Sequence, residues 1–360
     1  MEASSVRPET QRRYRRYLSC LAEFLRLHTL PRLSNGAWDE TLCEYFEALY
    51  LEGKGSATAA NTLSALVWAQ PSLGRPVRVA LPRAHQAWKG WQLASPGSSR
   101  PPLPWVVAAA MAAHLARRGQ HEAALCLLLL FTLYLRPSEC LALHQFQLLE
   151  PLPALGPGYD RWSVLVHARE LGRPGKTGEF DDTVVLDQPD LLWLDEPLRS
   201  LRAARAPGEP LWSLDYEDLR GLFNGVVAEL GLEAISPSLY ALRHGGASHD
   251  RAMRFRSLEE VSKRGRWRSA MAVRCYEKHG RLAAQANKLP PATLERCRQL
   301  AALLPRCFEG PCAPHWPPTG WAGSASSSRS SQEAAASPGP SLPKGTPPWR
   351  GTSRRVLTST

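Results

Sequence analysis

The chain shows no cysteine framework and no membrane-spanning apolar run, no secretory leader is expected, and each of these narrows what it can be. Its eight cysteines are scattered from Cys20 to Cys312, several of them inside apolar runs such as Ala123-Ala-Leu-Cys126-Leu. That is the usage of a reducing compartment, not of a disulfide-stapled secreted domain. The longest apolar run, Ala123 to Leu135, is too short for a bilayer, which needs about 20 residues. No signal peptide is expected before the first helix. A soluble, intracellular protein with no membrane partner is expected, nuclear if the host is eukaryotic. Metal ligands are sparse as well. Cys307, Cys312 and His315 lie close together in a proline-rich stretch, but three potential ligands fall short of a zinc set, so neither a metal nor a cofactor is expected. No internal repeat is evident.

What the chain has is length and positive charge. At 360 residues it can form two ordinary domains, each with a core. Lys and Arg number 44 against 33 Asp and Glu, a net +11 that favours a polyanionic partner, nucleic acid being the commonest. Charge alone leaves a merely basic soluble protein open.

The informative stretch runs from Ser236 to Tyr276. It reads Tyr240-Ala-Leu-Arg243-His244, then Gly265-Arg266-Trp267-Arg268-Ser269, then Tyr276-Glu277-Lys278-His279. Ser236-Pro237 has the form of an N-cap and first-turn pair, which would set Tyr240 and Arg243 three apart on one helical face, aimed at one ligand. Ser257-Leu-Glu-Glu260 has capping-box spacing for a second helix, and Ser269 could cap a third carrying Tyr276 about two turns in. Trp267 would fall in the turn between these two. Upstream, Leu133-Tyr-Leu-Arg136-Pro-Ser-Glu139 places an arginine where a buried run ends and Pro137 opens a new helix, a position where anions are favoured. Gly175-Lys176-Thr177-Gly178 lies between two strand-like runs, Arg161 to His167 and Thr183 to Asp187.

In this order and at these separations the four motifs resemble the catalytic domain of the tyrosine recombinases, the phage integrase family, and the chain looks like a member from a eukaryotic mobile element, or a decayed copy of one. In that family a His-x-x-Arg box is followed by a His or Trp nine residues before a nucleophilic Tyr. Trp267 and Tyr276 are nine residues apart. The resemblance implies a mainly α fold with a small β-sheet. A helical, SAM-like core-binding domain (1–93) and a linker (94–104) would precede a catalytic domain of the DNA breaking-rejoining fold (105–304), with a disordered Pro, Ser and Gly-rich tail (305–360). Helices are expected from Thr10, over Thr41 to Tyr50, from the Ser56 cap to Ala69, and from Pro82 to Leu93. In the second half they are expected over Trp105 to Arg118, Gln120 to Leu135, Asp218 to Leu230 and Pro291 to Leu304. Trp88 and Trp91 read as core. The last helix carries an apolar stripe, Leu294, Cys297, Leu300, Ala301 and Leu304, which must be buried either within its own domain or, as the resemblance suggests, on a neighbouring protomer.

The chemistry implied is strand cleavage and rejoining through a covalent 3′-phosphotyrosine. Tyr276 would attack the scissile phosphate, with Arg136 and Arg243 holding its oxygens through forked donors. Lys176 would protonate the departing 5′-oxygen. Trp267 can only donate through its indole N–H. Glu139 and His244 would stand one layer back in support. Arg12, Arg13, Arg16, Lys263 and Arg264 are expected on the backbone of double-stranded DNA, bound by a dimer on each site and a tetramer in synapsis. Two departures matter: Tyr240 stands where the family usually has His, sometimes Lys or Tyr, and a phenol with a pKa of about 10 is a poor base near neutrality; Arg266 stands where a Gly often precedes the His or Trp. A DNA-binding protein of the same fold that no longer cuts, or a type IB topoisomerase, are the alternatives.

Overall fold

Alanine and leucine dominate the apolar runs and both favour helix. The computed structural model is accordingly mostly helical. It describes residues 6–28, 35–73, 80–97, 101–172, 175, 179–269, 273–277 and 280–309.

The first four helices are α1 (Pro8–Leu27), α2 (Asn35–Leu51), α3 (Ala57–Ala69) and α4 (Pro82–Ala94). Pro8 and Pro82 occupy first-turn positions, where a missing N–H costs nothing. These helices bury a core of their own around Leu21, Leu42, Phe46, Leu63, Leu66 and Trp91, with Trp88 packed at its edge. Buried Asp39 on α2 accepts the backbone N–H groups of Arg83 (3.0 Å) and Ala84 (2.8 Å), so one carboxylate caps α4 and locks it to α2. α2 starts six residues before Thr41 because Trp38 and Asp39 belong to this packing.

A second, larger core begins inside the expected linker: Leu103 is buried and donates its N–H to the Ala241 carbonyl at 3.2 Å. α5 (Trp105–Arg117) and α6 (His121–Thr132) follow, joined through Gly119 at φ 74, a left-handed position suited to glycine. Every residue of α6 is buried. It ends three residues before Leu135, at a turn that forces Tyr134 to φ 48, and α7 (Pro137–Leu141) is a single short turn. Strands β1 (Leu148–Leu149), β2 (Ser163–Val166) and β3 (Asp182–Val185) form an antiparallel sheet in that order, with Ser163 opposite Val185 and Val166 opposite Asp182. Val164, Val166 and Val184 face the core. Then come α8 (Asp195–Ala203), α9 (Tyr216–Leu230), α10 (Leu239–Ala252), α11 (Leu258–Arg264), a 3-10 turn (Arg274–Glu277), α12 (Gly280–Ala286), α13 (Pro291–Ala302) and a last 3-10 turn (Pro305–Phe308).

Several expectations need correction. α10 follows Ser238, not the Ser236-Pro237 pair; Ser236 instead closes a preceding 3-10 turn at φ 40. Tyr276 stands in the 3-10 turn, not two turns into a helix. The apolar stripe of α13 is covered by α5 of the same chain, and Cys297, Leu300 and Leu304 are buried in the main core. Cys307 and Phe308 join them there, so the folded part extends past 304. Of the residues weighed for zinc, Cys312 and His315 lie outside the described residues, as does the rest of the tail from 310 onward. Among the described residues no helix is long and apolar enough to cross a membrane.

Candidate functional site

Two glycines bring the site together. In α10, His244 is followed by Gly245 and Gly246. A methyl group at Gly246 would collide with the Phe131 carbonyl oxygen, and one at Gly245 with the Leu103 carbonyl oxygen. Bare backbone therefore lets α10 press directly on the end of α6. That contact lays Arg243 against the turn after α6, where its Nη1 donates to the Tyr134 carbonyl; its Nη2 donates to the Gly265 carbonyl. The Arg243 side chain is 0% exposed.

The turn after α11 supplies the next wall. Gly265 has no room for a side chain because the Trp267 ring lies on it. Arg266 takes φ 54, and the chain doubles back so that the Trp267 N–H donates to the Ser262 carbonyl at 3.1 Å. The indole thus lies between a cation and a phenol: the Arg243 guanidinium is 4.6 Å from its centre and the Tyr276 ring 4.8 Å, distances at which both contacts are attractive. Tyr276 is 1% exposed. Its hydroxyl is 2.8 Å from Nδ1 of His244, whose ring also lies 5.1 Å from that of Tyr240, one helical turn earlier.

A single carboxylate organises the charges. Glu139 on α7 accepts the Arg136 backbone N–H at 2.8 Å and pairs with the Arg136 guanidinium. It also lies 2.6 Å from Arg266 Nη2 and 3.7 Å from Arg243 Nη1. His167, at the end of β2 with φ 57, brings Nε2 to 3.4 Å from the same carboxylate. Burial alone would push the Glu139 carboxyl up, but Arg266, the Arg136 N–H, and the Arg136 and Arg243 guanidiniums outweigh it and hold the carboxyl down at about 2. Burial, with the like charges of Arg136 and Arg266, lowers Arg243 to about 10 against the pull of Glu139; it stays cationic at neutrality. Burial opposes the charge on Arg136 too, but Glu139 and a hydrogen bond with Tyr240 raise it above its ordinary value. Three guanidiniums around one carboxylate leave positive charge in excess, trimmed by Asp182 at 4.0 Å from Arg266 Nε. The buried Nε atoms of Arg243 and Arg266 have no hydrogen-bond partner among the described residues. Such a cluster favours an anion.

Tyr276 is set for a different task. Burial raises its phenol well above the ordinary value, with only Arg243 pulling the other way, so it is protonated at neutrality and can act as a nucleophile only by giving its proton to a base.

The residues singled out from the sequence do not all meet here. Arg136, Glu139, Tyr240, Arg243, His244, Trp267 and Tyr276 do. His244 is not one layer back; it touches the Tyr276 hydroxyl. Lys176 lies outside the described residues, though its neighbour Gly175 packs on the His167 ring. Arg264 is no surface cation: its Nε and Nη2 donate to the Thr132 carbonyl at 3.0 and 2.9 Å, and Asp187 pairs with it at 3.2 Å. It supports the floor of the site, where Arg256 bridges Asp187 and Asp250 and the Tyr134 hydroxyl donates to Asp250. Lys263 is exposed and pairs with Glu259. Arg12, Arg13 and Arg16 are exposed on α1, Arg12 facing Glu9 at 3.7 Å. Just before α1, Arg7 donates to the Gly175 carbonyl at 3.2 Å. α7, at five residues, is too short for an appreciable dipole, so the anion-attracting field at Arg136 comes from the guanidiniums.

His167 and the buried direction of Arg266 were missed from sequence. Arg266 takes a positive φ, which nothing in its neighbouring sequence marks. No protein-family model matches this chain, and no curated protein matches it in sequence.

Proposed function

We propose that the chain cleaves and rejoins DNA strands as a tyrosine-type recombinase, through a covalent 3′-phosphotyrosine on Tyr276. The observation that carries this reading is the convergence of a protonated, buried tyrosine and an arginine cluster in excess of its carboxylate, drawn from four separate segments. A phosphodiester needs those two components when no metal assists: a nucleophile, and forked donors for the non-bridging oxygens. Of the three arginines, Arg136 is the most exposed, its side chain at 20%, and makes first contact with the phosphate. Tyr240 lies beside Arg136 and adds a hydroxyl there. Arg243 joins as its terminal nitrogens turn from the backbone carbonyls. Lys176 protonates the 5′-oxygen. Double-stranded DNA is the partner, the arginines of α1 hold its flanking backbone, and strand exchange assembles copies of the chain on paired sites.

A second reading, a DNA-binding protein of this fold that does not cut, has one observation in its favour: both terminal nitrogens of Arg243 are committed to backbone carbonyls and Tyr276 is buried. The test is a library of nicked duplexes of random sequence, in which cleavage releases a short fragment and traps the covalent complex. An adduct in the unaltered protein and none in Tyr276→Phe supports cutting. Retained duplex without any adduct selects the second reading. Supercoil relaxation of unrelated plasmid by a monomer would instead select a topoisomerase.

A further inference from the structure

We propose that His244 is the general base that takes the proton from Tyr276, an inference resting on the strand-cleavage reading above. The position where a base is expected from the motif carries Tyr240, whose phenol lies beside Arg136. One helical turn further along α10, on the same face, the His244 ring presents Nδ1 to the Tyr276 hydroxyl at 2.8 Å, within the range for direct proton transfer. The hydroxyl donates to Nδ1 when the ring is the neutral Nε2–H tautomer, which is the form able to accept a proton. Trp267 and His244 pack against the phenol at 4.8 and 5.7 Å between centroids, so the acceptor is fixed before any substrate arrives. In the step, Tyr276 Oη forms its bond to phosphorus, the bond from phosphorus to the 5′-oxygen breaks, the phenolic proton passes to His244 Nδ1, and the leaving oxygen takes a proton from Lys176. Rejoining reverses each transfer, and the imidazolium returns its proton to the phenol.

The Tyr240 ring on its own helix and the Tyr276 phenol on the 3-10 turn lie against His244, and Cys275 lies against Tyr276. Arg243 adjoins it in the chain. An imidazole, unlike a phenol, changes its protonation state in the physiological range. Adduct formation should therefore rise with pH through the imidazole range.

Two measurements on the full chain decide the matter. On the random nicked-duplex library, His244→Gln should form adduct roughly 100-fold to 10,000-fold more slowly, lose that rise with pH, and retain duplex as well as the unaltered protein. Tyr240→Phe should slow the reaction while keeping the pH profile. In the second measurement, histidine nitrogens are followed by NMR against pH in the unaltered protein and in Tyr276→Phe. Because the phenol donates to the neutral ring, its removal should raise the His244 pKa. An unaltered rate and pH profile in His244→Gln overturns the proposal, and so does a His244 titration that is indifferent to Tyr276 or moves downward. That variant could also lose its fold, in which case the NMR titration, which leaves His244 intact, still decides. No adduct in the unaltered protein is a different failure: it removes strand cleavage itself and with it any role for a base.

Discussion

Arg266 Nη2 lies 2.6 Å from Glu139 Oε2, although 127 positions separate the two residues. Arg266 reaches there from a backbone at φ 54, a conformation unfavourable to any residue with a Cβ, and its side chain is only 6% exposed. The ion pair must offset both the strain and the burial. It joins the turn before Trp267 to the helix after Arg136, so the two halves of the arginine cluster hold each other in register.

The first prediction concerns acid. The Glu139 carboxyl is lowered from 4.5 to about 2, so its contribution to stability is fully present above pH 4.5 and is lost as pH falls through about 2. That shift corresponds to about 3 kcal/mol. Urea unfolding should find Glu139→Gln less stable than the unaltered chain by this order at pH 7, with the gap closing toward pH 2. Arg266→Gly removes the strongest of the neighbouring charges that hold the carboxyl down, while easing the backbone; its deficit should be smaller than that of Glu139→Gln and should also shrink on acidification. A deficit independent of pH in both variants would show that Glu139 is not ionised in the fold.

What the sequence makes legible here is local. Pro137 after Arg136 and the Ser257 and Glu260 pair mark helix starts through chemistry contained within four residues, and the structure has α7 and α11 where they indicate. Tyr276 and Trp267 likewise meet, because both lie within a short stretch after α11. The unread features depend on chain segments far apart. Arg264 looks like any exposed arginine in a basic run, and only the arrival of the Thr132 carbonyl and Asp187 buries it. His167 ends a strand with nothing nearby in sequence to suggest that Glu139, 28 positions earlier, is its neighbour. Helix boundaries shifted for the same reason: α6 stops short because Tyr134 is needed with its carbonyl toward Arg243 and its hydroxyl on Asp250.

The second prediction isolates the close approach of α10. Gly246→Ala puts a methyl group into the Phe131 carbonyl, backbone that cannot yield as a side chain would, and should cost about 3 kcal/mol or more. Gly225→Ala, within α9 and with nothing within 4 Å of the new methyl, should instead stabilise by about 0.5 to 1 kcal/mol. Thermal melts of both variants check the pair. Equal melting temperatures would mean that α10 does not rest on α6.

A third prediction follows from α13. Its Cys297 and Leu300 are buried with Leu304, Cys307 and Phe308 in the same core as α5. Ending the chain at Leu289 exposes that face of α5, and the truncated protein should lose cooperative thermal unfolding as a monomer. Retention of a sharp melt, together with loss of self-association in sedimentation, would show instead that α13 serves a neighbouring copy.

The last prediction separates arginines that hold the scissile phosphate from those that hold flanking backbone. Arg12, Arg13 and Arg16 are exposed on α1 and, among the described residues, Arg12 makes a long pair with Glu9, at 3.7 Å, so each can release one counterion when it meets a phosphate. Replacing any one of them by Ala should weaken binding to all duplexes alike and lower the slope of log affinity against log salt by about one unit. Arg136 is bound differently: its guanidinium is fixed by Glu139 and Tyr240, so its remaining donors point in a set direction. Lysine keeps the charge and loses the fork. Arg136→Lys should therefore leave the salt slope and the affinity for duplex nearly unchanged while slowing adduct formation by about 100-fold or more, the loss expected when one oriented donor to a developing charge is removed. Salt titrations by fluorescence anisotropy and single-turnover trapping on the nicked library measure the two effects separately. Arg136→Lys behaving like Arg13→Ala in both assays would place Arg136 among the backbone contacts and leave the cluster around Glu139 with a structural role alone.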